Sequence, residues 1–334
     1  MNCLVIGGAG YIGSHIILEL LDSGHQITVF DNLSTGSLQN IPDGVKFING
    51  DILNLDELAK AFEYDTFDVV FHFAALKAAA ESMDEPGKYA HHNITGSINI
   101  LNAMVKHDVM KIIFSSSAAV YGYPQYLPID ENHPTKPVNF YGFTKLEIER
   151  ILKWYSQLKG LRFAVLRYFN AAGYDVKGRI SEMEKNCANL LPIVMETAAG
   201  SREKVLVFGD DYNTADGTGV RDYIHVNDLA TAHIKAMNYL DRENKDLIVN
   251  LGTGIGYSVL DVINGTKNIT QKAIPYKIVD RRPGDPDELV AKSFQACDLI
   301  NWEPLYSDLK TLLKSSWKIY HTVEEVACLP KAGK

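Results

Sequence analysis

Tyr141 and Lys145 stand four residues apart in Tyr141-Gly142-Phe143-Thr144-Lys145, with Ser117 upstream. On a helix this spacing puts both side chains on one face. A phenol held beside an ammonium can exchange protons. A free tyrosine ionises near pH ~10, so acting as a base near neutrality requires a drop of about 3 units, or roughly 4 kcal/mol. One cation at about 4–6 Å supplies on the order of 3–4 kcal/mol at an effective dielectric of ~20. Lys145 is the cation at hand. The same spacing also suits an exposed tyrosine–lysine pair on a helix surface, so the surrounding elements must decide.

The chain begins with a short apolar strand, Cys3-Leu-Val-Ile6, followed by Gly7-Gly8-Ala9-Gly10-Tyr11-Ile12-Gly13. A helix follows, with Ile12, Ile16 and Leu20 at spacings of four. His25 to Phe30 reads as the next strand, with Asp31 and Asn32 at its carboxyl end. Glycines at 7, 10 and 13 allow a tight turn, close approach of backbone to a pyrophosphate, and close helix–strand packing. The helix N-terminus adds unpaired N–H groups and the positive end of a dipole. A glycine run alone is often only a turn. Between a strand and a helix, with Asp31 eighteen residues after Gly13, it predicts a dinucleotide site. A carboxylate at that place accepts hydrogen bonds from ribose hydroxyls and repels a 2′-phosphate. No Arg or Lys lies between Asp31 and Lys46, which favours NAD over NADP.

The alternation continues with strands at 45–48, 68–74, 111–114 and 162–167. Between them Asn54 and Glu57 read as a capping box, and helices are predicted over 86–106 and from about 140 to 159. Strands separated by helices predict an α/β fold with a doubly wound parallel sheet. Ligands of such sheets sit at the carboxyl ends of the strands. Asp31, Asp51, Lys77, Ser117 and Asn170 all follow strands, so they should converge on one rim. From Tyr174 onward the pattern loosens. Residues 177–189 read as a loop or lid, 189–199 as a helix, 227–240 as another, and 247–250 as one more strand. Gly252, Gly254 and Gly256 alternate without dinucleotide spacing and read as a turn. The organisation expected is a dinucleotide-binding domain over 1–174 and a smaller α/β substrate domain over 175–334. The two interleave, with about 220–255 returning to the first sheet.

Composition narrows the function classes. Of the 334 residues 46% are hydrophobic and 22% charged, as in a soluble globular protein. A net charge of −8 disfavours a nucleic-acid backbone binder. The four cysteines form no CxxC pair and the ten histidines no HExxH spacing, so no metal is expected. Met1 and Asn2 lead straight into the first strand, and no apolar run approaches 18 residues; the expected setting is the cytoplasm, without a membrane segment.

Taken together, the motifs resemble the extended short-chain dehydrogenase/reductase family, and within it the UDP-hexose 4-epimerases, over essentially the whole chain. The resemblance rests on GGAGYIGSH at 7–15, DNLS at 31–34, GDI at 50–52 and FAALKAAAES at 73–82. It continues in SSSAAVYG at 115–122, YGFTK at 141–145, RYFNAAG at 167–173, GVRDYIHVNDLA at 219–230 and RPGD at 282–285. It implies an isomerase that interconverts UDP-galactose and UDP-glucose through a transient 4-keto sugar, with NAD permanently bound. Tyr141 would be the base, Ser117 its partner at the sugar 4-hydroxyl, and Lys145 the ligand of the nicotinamide ribose. The implied cofactor positions are Gly7, Gly10, Tyr11, Ile12, Gly13, Asp31, Asn32, Asp51, Ile52, Phe73, Ala74, Lys77, Asn93, Tyr168 and Phe169, with Tyr141 and Lys145. The implied substrate positions are Asn170, Asn189, Leu190, Phe208, Arg221, Arg282, Asp285 and Leu289, with Ser117 and Tyr141.

Two arginines, 221 and 282, suit a diphosphate, because guanidinium forks match phosphate oxygens. As surface residues they would instead pair with Asp222 and Asp287. The alanine-rich FAALKAAAES departs from the family, with Ala75 and Ala80 where glycine is commoner. Leu289, where plain-hexose members tend to have tyrosine, would leave room for an N-acetyl group. A nucleotide-sugar 4,6-dehydratase is the rival within the fold, but it needs an acid and a base for elimination, and Ala118 and Ala119 follow Ser117. A non-catalytic NAD-binding regulatory protein has no use for a Ser–Tyr–Lys set. The resemblance also implies a homodimer, paired through the helices at 86–106 and 140–159.

Overall fold

The computed structural model describes residues 1–184, 189–282 and 284–327. Strand β1 (Asn2–Ile6) turns through the glycine loop into α1 (Tyr11–Asp22). There follow β2 (Gln26–Asp31), β3 (Lys46–Asn49), α2 (Leu55–Glu63), β4 (Val69–His72), α3 (Ala79–Asp84), α4 (Pro86–Tyr89), α5 (Gly96–Lys106) and β5 (Lys111–Ser117). Helix α6 (Phe140–Lys159) leads to β6 (Arg162–Tyr168), β7 (Asn170–Ala172), α7 (Leu190–Ala198), β8 (Val205–Phe208), β9 (Val220–His225) and α8 (Val226–Glu243). The chain ends with β10 (Leu247–Leu251), β11 (Gly256–Ser258), α9 (Val259–Thr270), β12 (Tyr276–Val279), β13 (Glu288–Leu289), α10 (Phe294–Ile300) and α11 (Leu309–Ala327).

Seven strands form one sheet in the order β10-β6-β5-β4-β1-β2-β3, parallel throughout. Alternate residues of β1 feed the two sides of the sheet. Cys3 and Val5 join one apolar cluster, with Ile16, Ile17 and Leu20 of α1 and Leu229 and Met237 of α8. Leu4 and Ile6 join the other, with Leu58 of α2, Ile100 of α5 and Ile148 of α6. A strand covered on both sides needs apolar side chains at every position, which is why it reads as a continuous run. The strand order reverses between β1 and β4, and a crevice opens there at the carboxyl ends. A second sheet is built on β9, paired to β7, β11 and β13, and β8 pairs with β12.

Two local expectations change. The run 86–106 is helical throughout but contains a π-helical segment at Ala90–Thr95 between α4 and α5. Such wide turns re-aim side chains and concentrate at functional positions. Asn54 caps α2, accepting from the N–H groups of Asp56 and Glu57. Glu57, however, does not complete a capping box. Its carboxylate accepts from the Asp51 N–H at 2.8 Å, and so braces the turn after β3. Residues 177–184 form neither helix nor strand, as expected of a loop, and 185–188, the rest of the expected lid apart from Asn189, lie outside the described residues, as does Pro283 of the RPGD motif. Among the described residues no helix is long and apolar enough to cross a membrane, and no group of three or more His, Cys, Asp or Glu stands ready to hold a metal.

Candidate active site

Helix α6 starts where its sequence says it should. Asn139 caps it through Gly142 N–H at 2.8 Å, and Gly160, at φ +76°, ends it in the left-handed conformation that glycine adopts without strain. Tyr141 therefore lies in the first turn, its own N–H donating to the Ser82 hydroxyl at 3.0 Å. Lys145 follows one turn on and is buried. Its Nζ donates to the Ser115 carbonyl at 2.8 Å and lies 5.8 Å from the centre of the Tyr141 ring. Ser117 ends β5 beside them, its Oγ accepting from Ala119 N–H at 3.2 Å and near enough to the Tyr141 phenol to act on its ionisation.

Burial dominates the charges here. It pushes the Tyr141 phenol up to about 12, against the hydrogen bond from Ser117, which lowers it. Burial brings Lys145 down to about 7, opposed by the charge of Glu149. In the chain by itself, removing a phenolate from water costs more than the lysine returns. The unaided chain holds a protonated phenol.

The crevice between β1 and β4 collects the other carboxyl-end residues. Gly7 has φ +83°, and a Cβ there would lie 2.4 Å from the Ala74 nitrogen. A Cβ at Gly13 would lie 2.4 Å from the Gly7 carbonyl. These two glycines are demanded by packing of the chain itself. Gly10 is different. A Cβ there would meet only the Gly7 carbonyl, at 3.4 Å, so its missing side chain leaves room outside the protein. Gly10 also caps α1 without any side-chain bond, and Tyr11 and Ile12 form the first turn. An anion fits that opening.

The Asp31 carboxylate accepts from Ala9 N–H at 2.9 Å and Leu33 N–H at 2.8 Å, and burial raises its pKa. Each oxygen keeps lone-pair capacity for a hydroxyl donor. Asn32 donates to Asp51 at 2.9 Å, joining the ends of β2 and β3. Ile52 packs against Gly96 of α5, where a Cβ would lie 2.4 Å from its Cδ1. Phe73 and Ala74 leave β4 with both N–H groups on the Ile6 carbonyl. Tyr168 donates to Ser115, and Phe169 is buried beside Ala118, Leu146 and Ala291.

Two expected cofactor residues are otherwise engaged. Asn93, in the π-helical segment, accepts from Leu76 N–H and donates to the Leu76 carbonyl and to Thr144 Oγ1. Both amide hydrogens are spent on protein, so it ties the loop after β4 to α6. Lys77 is ion-paired with Glu184.

The remaining residues gather around β9. Arg221 pairs with Asp285, not with Asp222, and also donates to the Val220 carbonyl at 2.7 Å. Asp222 is buried and accepts from the N–H groups of Thr253, Gly254 and Ala291, while Asp287 pairs with Arg281. Asp222 thereby fixes the turn that carries Gly252 and Gly254. Arg282 lies over Phe208 with its guanidinium 3.9 Å from the ring centre. Leu289 pairs in register with Arg221 and packs against the cluster that holds Phe169. Asn170 opens β7 opposite Tyr223 of β9. Asn189 caps α7 without a side-chain bond, and Leu190 is its first residue.

Sequence reasoning overlooked two acids. Glu149, one turn beyond Lys145, accepts from Ser116 at 2.6 Å and takes both arms of the buried Arg167 at 2.5 and 3.0 Å. Its spacing from Lys145 was a readable signal, since Tyr141, Lys145 and Glu149 repeat every four residues. Glu184, on a segment without periodicity, gave no signal. It lines cavities on both sides of Tyr11, one reaching Asn40 and the other Asn189.

Comparison with known proteins matches this architecture. The model of the NAD dependent epimerase/dehydratase family matches residues 3–252. The UDP-glucose 4-epimerase of Halalkalibacterium halodurans is 46% identical over 317 residues, covering 95% of each chain. The crystal structure of the Brucella ovis UDP-glucose 4-epimerase in complex with NAD is 40% identical, with a TM-score of 0.93 over 96% of this chain and 98% of that one. The Bifidobacterium longum enzyme in complex with NAD+ and UDP is 39% identical, with a TM-score of 0.91 over the same shares. A parallel sheet with its crevice at the switch point, a glycine cradle open at Gly10 and a family match over three quarters of the chain lead to one conclusion: the chain belongs to the NAD dependent epimerase/dehydratase family.

Proposed function

We propose that the protein interconverts UDP-galactose and UDP-glucose by reversible epimerisation at C4, with NAD as a permanently held cofactor. The observation that carries this reading is the set Ser117, Tyr141 and Lys145 on the same rim as the glycine cradle. The relatives in complex with NAD, and in one case with UDP, support it. The residues fit the cofactor: the opening at Gly10 and the N-terminus of α1 take the pyrophosphate, and Asp31 takes ribose hydroxyls. Bound NAD supplies reversible hydride acceptance at the sugar C4, so no net redox change results.

The chain supplies the rest. Tyr141 removes the proton of the 4-hydroxyl and returns it, and Ser117 holds the same oxygen. Lys145 stands 5.8 Å from the Tyr141 ring, where its charge favours the phenolate. Arg221 and Arg282 grip the diphosphate. Held at that end only, the hexosyl ring is free to turn about its linkage and present either side of C4. Purified protein given UDP-galactose and no added cofactor should form UDP-glucose; accumulation of free NADH instead would reject the reading.

Leu289 sets the substrate range. It is half-buried against the Phe169 cluster and carries no hydroxyl, leaving space beside the sugar. UDP-N-acetylglucosamine should therefore be turned over as well, and brisk UDP-glucose turnover with none of the acetylated sugar would refute that. The protein works in the cytoplasm as a homodimer. Trp154 and Leu158 stand one turn apart on α6, 61% and 69% exposed, and a partner helix would cover them. Light scattering should give twice the chain mass for the wild type and a monomer for Trp154→Asp.

A further inference from the structure

Tyr212 lies in the loop between β8 and β9, outside every residue assigned above. Its side chain is buried, at 4% exposure, yet its hydroxyl has no hydrogen-bond partner among the described residues. An unsatisfied buried donor of this kind destabilises the state that holds it. The ring is tightly placed. The Arg281 guanidinium lies 3.9 Å from its centre, held there by Asp211 and Asp287, and a Cβ on Gly209 would come within 2.7 Å of its edge. The loop closes behind it through Tyr212 N–H to the Gly217 carbonyl at 2.9 Å. The charged groups that act on the hydroxyl are Asp285, Arg221, Arg281 and Asp287.

Arg221 is one of the two arginines that grip the diphosphate in the function proposed above, Asp285 is its partner in the chain, and this inference rests on that reading. In the free chain they bond to one another. A phosphate that draws the Arg221 fork away leaves the Asp285 carboxylate, whose side chain is 33% exposed, short of its donor. We propose that Tyr212 is a positioning residue whose idle hydroxyl bonds to Asp285 when Arg221 turns to the diphosphate of a nucleotide. The stacked Arg281 keeps the ring in place and, as a cation beside it, makes the hydroxyl a better donor. The unsatisfied group is thus matched to the bound state.

Tyr212→Phe removes one oxygen and keeps the ring under Arg281. The probe is UDP, titrated into the NAD-loaded protein. The expected result is a melting temperature of the UDP-free protein equal to or above that of the wild type, with an affinity for UDP roughly ten-fold weaker, the worth of one hydrogen bond to a charged group. KM for UDP-galactose should rise in step, with kcat within two-fold and NAD content unchanged. A UDP affinity within two-fold of the wild type overturns the inference, and so does a lower melting temperature without UDP, which would mean that the hydroxyl is already bonded. Failure of the wild type itself to bind UDP overturns the epimerase reading, and this inference with it.

Discussion

Tyr141→Phe should lower the turnover of UDP-galactose by a factor of about 10²–10⁴, the usual contribution of a positioned acid–base group. Little else should change. The contact that places residue 141 is its backbone N–H on the Ser82 hydroxyl, which phenylalanine keeps. The ring still lies near Lys145, whose Nζ is anchored on the Ser115 carbonyl. Only the oxygen that meets Ser117 is lost. UDP affinity and NAD content should match the wild type, and kcat should fall while KM holds. A variant that keeps a tenth or more of the activity would remove Tyr141 from the chemistry and leave Ser117 as the remaining candidate.

The loss should be large because the phenol is the least prepared group of the site in the unaided chain. Burial holds its proton up to about 12, so it gives the proton up only where positive charge is added beside it. Lys145 is the chain's source of that charge, and burial weakens it too, to about 7. Glu149 opposes that loss from one turn further along α6, while Arg167 and Ser116 satisfy its carboxylate. The three successive serines of β5 divide the work. Ser115 gives its carbonyl to Lys145, Ser116 bonds Glu149, and Ser117 faces Tyr141. One strand end and one helix face therefore fix the whole acid–base line.

How much of this is legible in the sequence depends on how local the cause is. The ends of α6 are readable because Asn139 and Gly160 are its own caps. The glycine cradle is readable because Gly7 and Gly13 meet obstacles a few residues away or on the neighbouring strand. The π-helical segment around Asn93 is not, since nothing in Ala90–Thr95 marks a wider turn, and the partner of its buried Asn93 is Leu76, on the loop before α3. Arg221 found Asp285, 64 residues on, in preference to adjacent Asp222, because β13 runs beside β9. The Lys77–Glu184 pair spans 107 residues. Partners chosen by topology leave no periodic trace. Glu149 is the exception: its spacing was visible, and only the buried Arg167 gives it meaning.

Lys145→Met should reveal what the buried ammonium costs the fold. The lysine is 2% exposed, and its pKa falls from 10.5 to about 7 in the folded chain. Below pH 7 it is charged in both folded and unfolded states, and the full burial cost, about 3–5 kcal/mol, is present. Between the two values the unfolded chain holds a proton that the folded chain has released, so stability rises with pH and the cost vanishes near 10.5. Methionine keeps the unbranched stem as far as Cε and does not titrate. Relative to Lys145→Met, cofactor-free wild-type protein should therefore gain about 3 kcal/mol between pH 7 and 9.5, read from denaturant midpoints at each pH. The variant also gives up the bond to the Ser115 carbonyl, which the neutral amine still donates, so that loss adds an offset and does not imitate the slope. Tyr141 moves the other way, but only above its ordinary value of 10, because its folded pKa is the higher one. Two curves that run parallel from pH 7 to 9.5 would mean that Lys145 titrates as an exposed lysine does, and that the positive charge beside Tyr141 comes at no expense to the fold.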